Sequence, residues 1–182
     1  MRIALLPLSG DPIVATFWMG FFPIWEKEID TLYAYLNAPY ITKDNPLVGY
    51  YEKLFKRKNI QFVNISPSGD HGPGLTRMVK ESKGEEIMFI EEDAYIYGEG
   101  IVTKQFDRLK EFDFFGSPRG SCSQNIYHAE EEKWGVITTG YDSGPNFWPN
   151  YFFIKRDLLI KTALHFGTKN WEPGETIKEL GL

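Results

Sequence analysis

Short apolar runs alternate along this chain with stretches of helical spacing. Ile3-Ala4-Leu5-Leu6 comes first and predicts a buried strand, ended by Pro7 and the turn residues Ser9-Gly10-Asp11-Pro12. Val14, Phe17, Trp18, Phe21, Phe22 and Trp25 then recur at helical spacing. They predict a helix whose aromatics belong to the core, with Pro23 placed to kink it. Thr31 to Leu36 predicts a second strand, stopped by Asn37-Ala38-Pro39. Asn45-Pro46 marks a helix start, with Asn45 as cap and Pro46 in the first helical position. Leu47, Val48, Tyr51, Leu54 and Phe55 form its buried face, and Lys53, Lys56, Arg57 and Lys58 its solvated side and end. Gln61 to Ile65 predicts a third strand.

His71-Gly72-Pro73-Gly74 reads as a Gly-containing loop that opens a helix with Leu75, Met78 and Val79 inward and Gly84 as its stop. A loop of that kind can present backbone N–H groups to a phosphate, which makes His71 and Gly72 candidate contacts. Arg77, in the first turns of the helix, can add a charged contact. The spacing matches neither a P-loop nor a dinucleotide fingerprint.

The fourth apolar run, Ile87-Met88-Phe89-Ile90, ends directly in Glu91-Glu92-Asp93. Four consecutive apolar residues fit a strand buried on both faces, an inner strand of a parallel sheet. Ligands of open α/β sheets bind beyond the carboxyl ends of the strands, where these three acids stand. Neighbouring carboxylates repel one another, and a hard divalent cation offsets that repulsion through oxygen ligands. On an extended chain Glu91 and Asp93 point to one side as the metal-holding pair, and Glu92 to the other.

Past Gly98, Ile101 to Lys110 predicts a helix and Phe112 to Gly116 a strand. Ser117 to Asn150 is rich in Gly, Ser, Asn and Pro, and a connection that long suggests function. Tyr151 to Ile154 predicts a last strand and Arg156 to Leu164 a last helix. The order β-α-β-α-β-α-β predicts a mainly parallel central sheet with helices on both faces, a three-layer α/β sandwich.

Composition narrows the picture further. The 182 residues suit one domain, residues 1–182. Hydrophobic content of 42% and aromatic content of 16% argue against disorder. The net charge of −5 argues against a nucleic-acid backbone as partner. No apolar run approaches the length of a membrane span, and no signal-peptide pattern opens the chain. The lone cysteine, Cys122, excludes an internal disulfide framework and is compatible with a reducing compartment. A soluble, cytoplasmic protein is expected.

The alternating strands and helices, the Gly-containing loop, and the apolar strand ending Phe89-Ile90-Glu91-Glu92-Asp93 resemble the nucleotide-binding core of the GT-A glycosyltransferases. The resemblance covers roughly residues 2 to 117, and residues 150 to 164 are similar to that family's later acceptor-side strand and helix. It divides the domain into a nucleotide-binding part, about 1–117, and an acceptor-side part, about 118–182. It implies that strand-end acids, here Glu91 and Asp93, hold Mn²⁺ or Mg²⁺ on the diphosphate of a nucleotide-sugar donor, and that Glu92 faces the donor. It further implies donor contacts at the ends of the first two strands, here Ser9 and Asn37. The family usually carries Asp where this chain has Glu91, a longer oxygen ligand.

The implied activity is metal-dependent transfer of a sugar to a carbohydrate or other hydroxyl acceptor. A nucleoside diphosphate leaves readily only once its charge is neutralised. An inverting reaction also needs a base for the acceptor hydroxyl, and Glu175, Asp142 and Glu172 are the candidates. His71, His128 and His165 are candidate third ligands or phosphate partners. Two alternatives stand beside it: a module of the same fold that binds nucleotide or glycan without turnover, and a nucleotidyltransferase with the same metal–phosphate requirement.

Overall fold

A computed structural model of the chain describes residues 1–38, 40–66, 71–119 and 146–161. Its centre is a six-stranded sheet in the order β3-β2-β1-β4-β6-β5. The strands are β1 (Arg2–Leu8), β2 (Thr31–Leu36), β3 (Ile60–Asn64), β4 (Glu86–Ile90), β5 (Phe114–Arg119) and β6 (Asn146–Lys155). β1 pairs in parallel with β2 and β4, and β2 in parallel with β3. β6 runs antiparallel to both β4 and β5. The mainly parallel sheet expected from the sequence is therefore present, with an antiparallel flank at one side.

Ile87 to Ile90 is an inner strand, held between β1 and β6 and at most 1% exposed. Two helical layers cover the sheet because successive strand side chains face opposite ways. Ala4, Leu6, Met88, Ile90 and Phe153 face α1 (Pro12–Trp25), α2 (Pro46–Leu54) and α4 (Ile101–Arg108). Ile3, Leu5, Ile87, Phe89 and Phe152 face α3 (His71–Glu81) and the last described helix, α5 (Arg156–Lys161). Phe89 stacks on Phe152 with ring centroids 4.3 Å apart, so the antiparallel strand is tied to the parallel half by packing as well as by its ladder.

The helix starts follow the capping rules. The Asp11 side chain accepts from the amides of Ile13 and Val14 ahead of Pro12, and the Asn45 side chain accepts from Leu47 ahead of Pro46. α4 has no side-chain cap of its own, because Gly100 stands in the cap position. Glu28 supplies one from a distance, accepting at 2.7 Å from both Gly100 N and Thr103 N.

Four expectations require correction. Gly84 does not cap α3, which ends at Glu81. The Arg156 guanidinium holds that end instead, donating to Val79 O at 2.7 Å, to Ser82 Oγ at 2.9 Å and to Gly84 O. Gly84 is small for packing, since a Cβ there would lie 2.5 Å from Ile3 Cγ2. Secondly, His71 to Gly74 is helix rather than loop: the first turn of a helix does not need the N–H that Pro73 lacks. Thirdly, Ser117 to Asn150 is not all connection, since β5 runs to Arg119 and β6 begins at Asn146. Lastly, Phe17 is 57% exposed and does not belong to the core, whereas Trp18, Phe22 and Trp25 do.

Candidate functional site

A cavity of about 590 Å³ opens at the carboxyl end of the sheet. Its position follows from the strand order. The chain builds outward from β1 to β2 and β3, then returns to place β4 on the other side of β1, so connections diverge between β1 and β4. Pairing between those two strands stops at Leu5–Phe89, while β1 stays paired with β2 as far as Leu8–Leu36. The crevice begins where the β1–β4 ladder ends, and Pro7, which has no N–H to give to a neighbour, lies in the part of β1 beyond that pairing. The lining comes from three strand ends: Ser9 and Asp11 after β1, Asn37 and Tyr40 after β2, and Glu91, Glu92 and Asp93 after β4.

The acids form a turn and are not extended. β4 ends at Ile90, and the Ala94 amide donates to Glu91 O at 3.0 Å. The alternation that sent Glu92 to the far side therefore does not apply, and all three acids line one cavity. Glu92 is the member turned inward. Its Oε1 accepts from Ser9 N at 3.0 Å, tying the β1 loop to the β4 turn across the crevice. Its Oε2 is buried and has no partner among the described residues.

Burial raises the Glu92 pKa above the ordinary carboxylate value. The hydrogen bond from Ser9 opposes the rise, and the charges of Asp11 and Asp93 add to it. The Tyr51 hydroxyl is also buried without a partner among the described residues, and burial, with Glu92 as its first electrostatic cause, pushes its pKa above the usual value. An acid with a raised folded pKa stabilises the fold below its unfolded pKa and loses that contribution as pH rises through the folded value. Glu92→Gln keeps an acceptor for Ser9 and removes the buried charge. In metal-free buffer it is expected to unfold at higher temperature than the wild type at pH 7, with the difference vanishing near pH 3. Thermal melts across that range check it.

The β1 loop is shaped by close contact. Gly10 has φ +99°, and a Cβ there would lie 2.7 Å from the Tyr40 hydroxyl and 2.8 Å from Ala38 Cβ. Tyr40 donates to Ser9 O at 2.9 Å, and Asp11 begins α1 as its cap. On the β2 side, Gly74 of α3 lets the Asn37 amide approach, since a Cβ would meet Asn37 Nδ2 at 2.5 Å.

Of the residues singled out from sequence, Ser9, Asn37, Glu91, Glu92 and Asp93 are brought together. Arg77 is not among the lining residues: it pairs with Glu81 at 2.6 Å one turn along α3, half exposed. His71 and Gly72 lie in the first turn of α3, and their side-chain surroundings lie outside the described residues. Asp142, Glu172, Glu175, His128 and His165 also lie outside them. Asp11 and Tyr40 were missed. Asp11-Pro12 carries the same cap signal as Asn45-Pro46, whereas nothing in the sequence marks Tyr40.

Electrostatically the cavity is one-sided. Asp11, Glu91, Glu92 and Asp93 line it, and among the described lining residues there is no Lys, Arg or His. Among the described residues, no group of three or more His, Cys, Asp or Glu side chains is placed to hold a metal ion. The donor set is nevertheless all carboxylate, with one buried oxygen unpaired, which suits a hard cation held by one or two acids and completed by phosphate oxygens.

No protein-family model matches the chain, and no curated protein does. Solved structures do. The mannosyltransferase PcManGT from Pyrobaculum calidifontis, in complex with GDP-Man and Mn²⁺, matches at TM-score 0.67 and 12% identity, over 98% of this chain and 51% of that one. S. aureus TarS in complex with UDP-GlcNAc matches at TM-score 0.64 and 14% identity, over 97% of this chain and 52% of that one. The 4-diphosphocytidyl-2C-methyl-D-erythritol synthase of Anaerococcus prevotii matches at TM-score 0.60 and 12% identity, over 100% and 82%. This chain thus spans about half the length of the two sugar-nucleotide complexes it resembles. The likeness is one of fold, the GT-A-like arrangement expected from the sequence. Among the described residues no helix is long and apolar enough to cross a membrane.

Proposed function

We propose that the chain is a metal-dependent glycosyltransferase, moving a sugar from a nucleotide-sugar donor to a hydroxyl acceptor. The observation that carries this reading is the four-carboxylate cavity at the β1–β4 switch point, with no cation in its described lining. An anionic diphosphate cannot enter such a cavity alone without strong repulsion. With a divalent cation the same acids become ligands. Glu91 and Asp93 would hold it, with diphosphate oxygens completing the shell. The ion would supply neutralisation of the leaving diphosphate.

The remaining work falls to the chain's own groups. Glu92 ties Ser9 to the acidic turn, and Tyr40 holds the β1 loop from the β2 side, so the two walls of the cavity are fixed relative to each other. Asn37, Ser9 and Asp11 offer polar contacts to the nucleotide. If configuration is inverted, Glu175, Asp142 or Glu172 takes the acceptor proton. The fold likeness to structures with GDP-Man and UDP-GlcNAc supports a sugar nucleotide as ligand.

A second reading, a nucleotidyltransferase, is favoured by the diphosphocytidyl synthase, the match whose own length is covered to 82%. The test is a thermal-shift screen of nucleoside diphosphates with and without Mn²⁺, followed by a search for sugar-nucleotide hydrolysis or transfer. A midpoint raised only when metal and nucleotide are both present, with turnover abolished by chelator, is the expected result. Release of pyrophosphate from a nucleoside triphosphate would favour the second reading, and equal stabilisation in chelator would overturn the metal-linked site.

A further inference from the structure

The acidic cavity has two unlike walls. Glu91, Glu92 and Asp93 stand after β4, whereas Asp11 and Tyr40 stand after β1 and β2. A diphosphate held through a cation at the β4 acids leaves the rest of the nucleotide to the β1–β2 wall. The volume of about 590 Å³ is ample for a mononucleotide. That wall carries one open ring. Tyr40 is 62% exposed, yet its hydroxyl is tied to Ser9 O at 2.9 Å, and Gly10 brings no side chain against it. A ring fixed in this way gives up little freedom when a base stacks on it.

Asp11 stands on the same wall and can only accept. Its Oδ1 takes both cap bonds, from Ile13 N at 2.8 Å and from Val14 N at 3.2 Å. Oδ2 takes part in neither, and the side chain is exposed. The nearby Ser9 amide is already given to Glu92 Oε1. With no Lys, Arg or His among the described lining residues, this wall is rich in acceptors and poor in donors. The common bases differ in what they can offer it. Guanine presents N1–H and N2–H side by side, close enough to converge on one oxygen. Uracil presents a single N3–H between two carbonyls. Adenine and cytosine set a ring nitrogen, an acceptor, beside their amino group, and its lone pair would face the carboxylate.

We propose that the cavity selects a guanine nucleotide, with the base stacked on Tyr40 and its N1–H and N2–H donated to Asp11 Oδ2. This choice of base rests on the reading of the cavity as a metal–nucleotide site and narrows it. Selection follows because a competing base that brings an acceptor to Asp11 leaves two acceptors facing each other without a proton between them.

Calorimetric titration of the full chain with GDP, IDP, UDP and ADP, each with Mn²⁺, tests this. GDP is expected to bind about tenfold tighter than UDP or ADP, the change for a hydrogen bond to a charged group. IDP keeps N1–H and lacks only the 2-amino group, so its affinity should fall between those of GDP and UDP. Asp11→Asn should bind GDP and UDP alike at an unchanged melting midpoint, because Asn caps a helix as well as Asp does. Tyr40→Ala should weaken GDP and UDP together, about tenfold, and leave their ratio as it was. IDP binding as tightly as GDP, a guanine preference that survives in Asp11→Asn, or full affinity in Tyr40→Ala overturns the proposal. If all four diphosphates bind the wild type equally, the guanine selection falls and the nucleotide site stands. If none binds with Mn²⁺ present, the reading of the cavity as a nucleotide site falls and the selection falls with it.

Discussion

Asp93→Asn is expected to weaken Mn²⁺-dependent binding of a nucleoside diphosphate by about 10- to 100-fold, at least what loss of a group supporting a metal ligand usually costs. Asp93 is exposed at the cavity mouth, and its short side chain holds the carboxylate close to the turn. Asn preserves the shape and removes the charge on which a hard cation depends. Because the side chain is exposed, the ligand-free fold should be little affected, with a midpoint within about 2 °C of the wild type. Glu91→Gln should weaken binding less, since the longer side chain loses more rotamer freedom on coordination, up to about 2 kcal/mol. Glu92→Gln distinguishes the roles of the three. On an extended chain it would be the least damaging change, but the turn removes that expectation by pointing Glu92 into the same cavity. Calorimetric titration of the three variants checks the order. A larger loss from Glu92→Gln than from Asp93→Asn would move the metal to Glu92.

Gly10→Ala should destabilise the fold and spoil the nucleotide side of the cavity together. The backbone at φ +99° disfavours any side chain, at a cost of about 1–2 kcal/mol. The added methyl would also meet Tyr40 Oη, Ala38 Cβ and Ile41 Cδ1 between 2.7 and 2.9 Å, and such overpacking typically costs about 1–3 kcal/mol. A loss of about 2–5 kcal/mol corresponds to a midpoint lowered by roughly 5–15 °C for a chain of this size. The relief available is displacement of Tyr40, which would break its bond to Ser9 O and shift Ser9 relative to Glu92. Thermal melts and nucleotide titration of the variant are the measurements. A wild-type midpoint would show that the loop adapts without cost. Gly100→Ala is the useful contrast, since Gly100 also has positive φ but open space around its Cβ position.

Much of the architecture was written in local pattern. A four-residue apolar run suffices to place β4, because a strand buried on both faces carries no polar alternation. Asn45-Pro46 locates α2 because the cap and the missing N–H act within one turn. Orientation was not legible. Tyr151 to Ile154 reads as a buried strand in either direction, and β6 runs antiparallel because of how the chain returns to the sheet. The three acids were legible as a site and not as a shape, since the change from strand to turn after Ile90 has no glycine or proline to announce it. Arg77 stands apart from the cavity for a different reason. Glu81, four residues on, supplies a local partner that competes with any phosphate for the guanidinium. The distant partners of Glu28 and Arg156 are tertiary facts with no trace in neighbouring residues.

The antiparallel strand β6 also dictates an order of events during synthesis. Met88 pairs with Phe153, so one side of β4 stays without its neighbour until the chain has grown well past it. During that interval β1, β2, β3 and β4 can already assemble, leaving β4 as a bare edge carrying Ile87, Met88, Phe89 and Ile90. A long-lived apolar edge is a template for pairing with another nascent chain. A chain cut short before Phe152 and Phe153 would leave that edge bare, and their pairing with Phe89 and Met88 covers it.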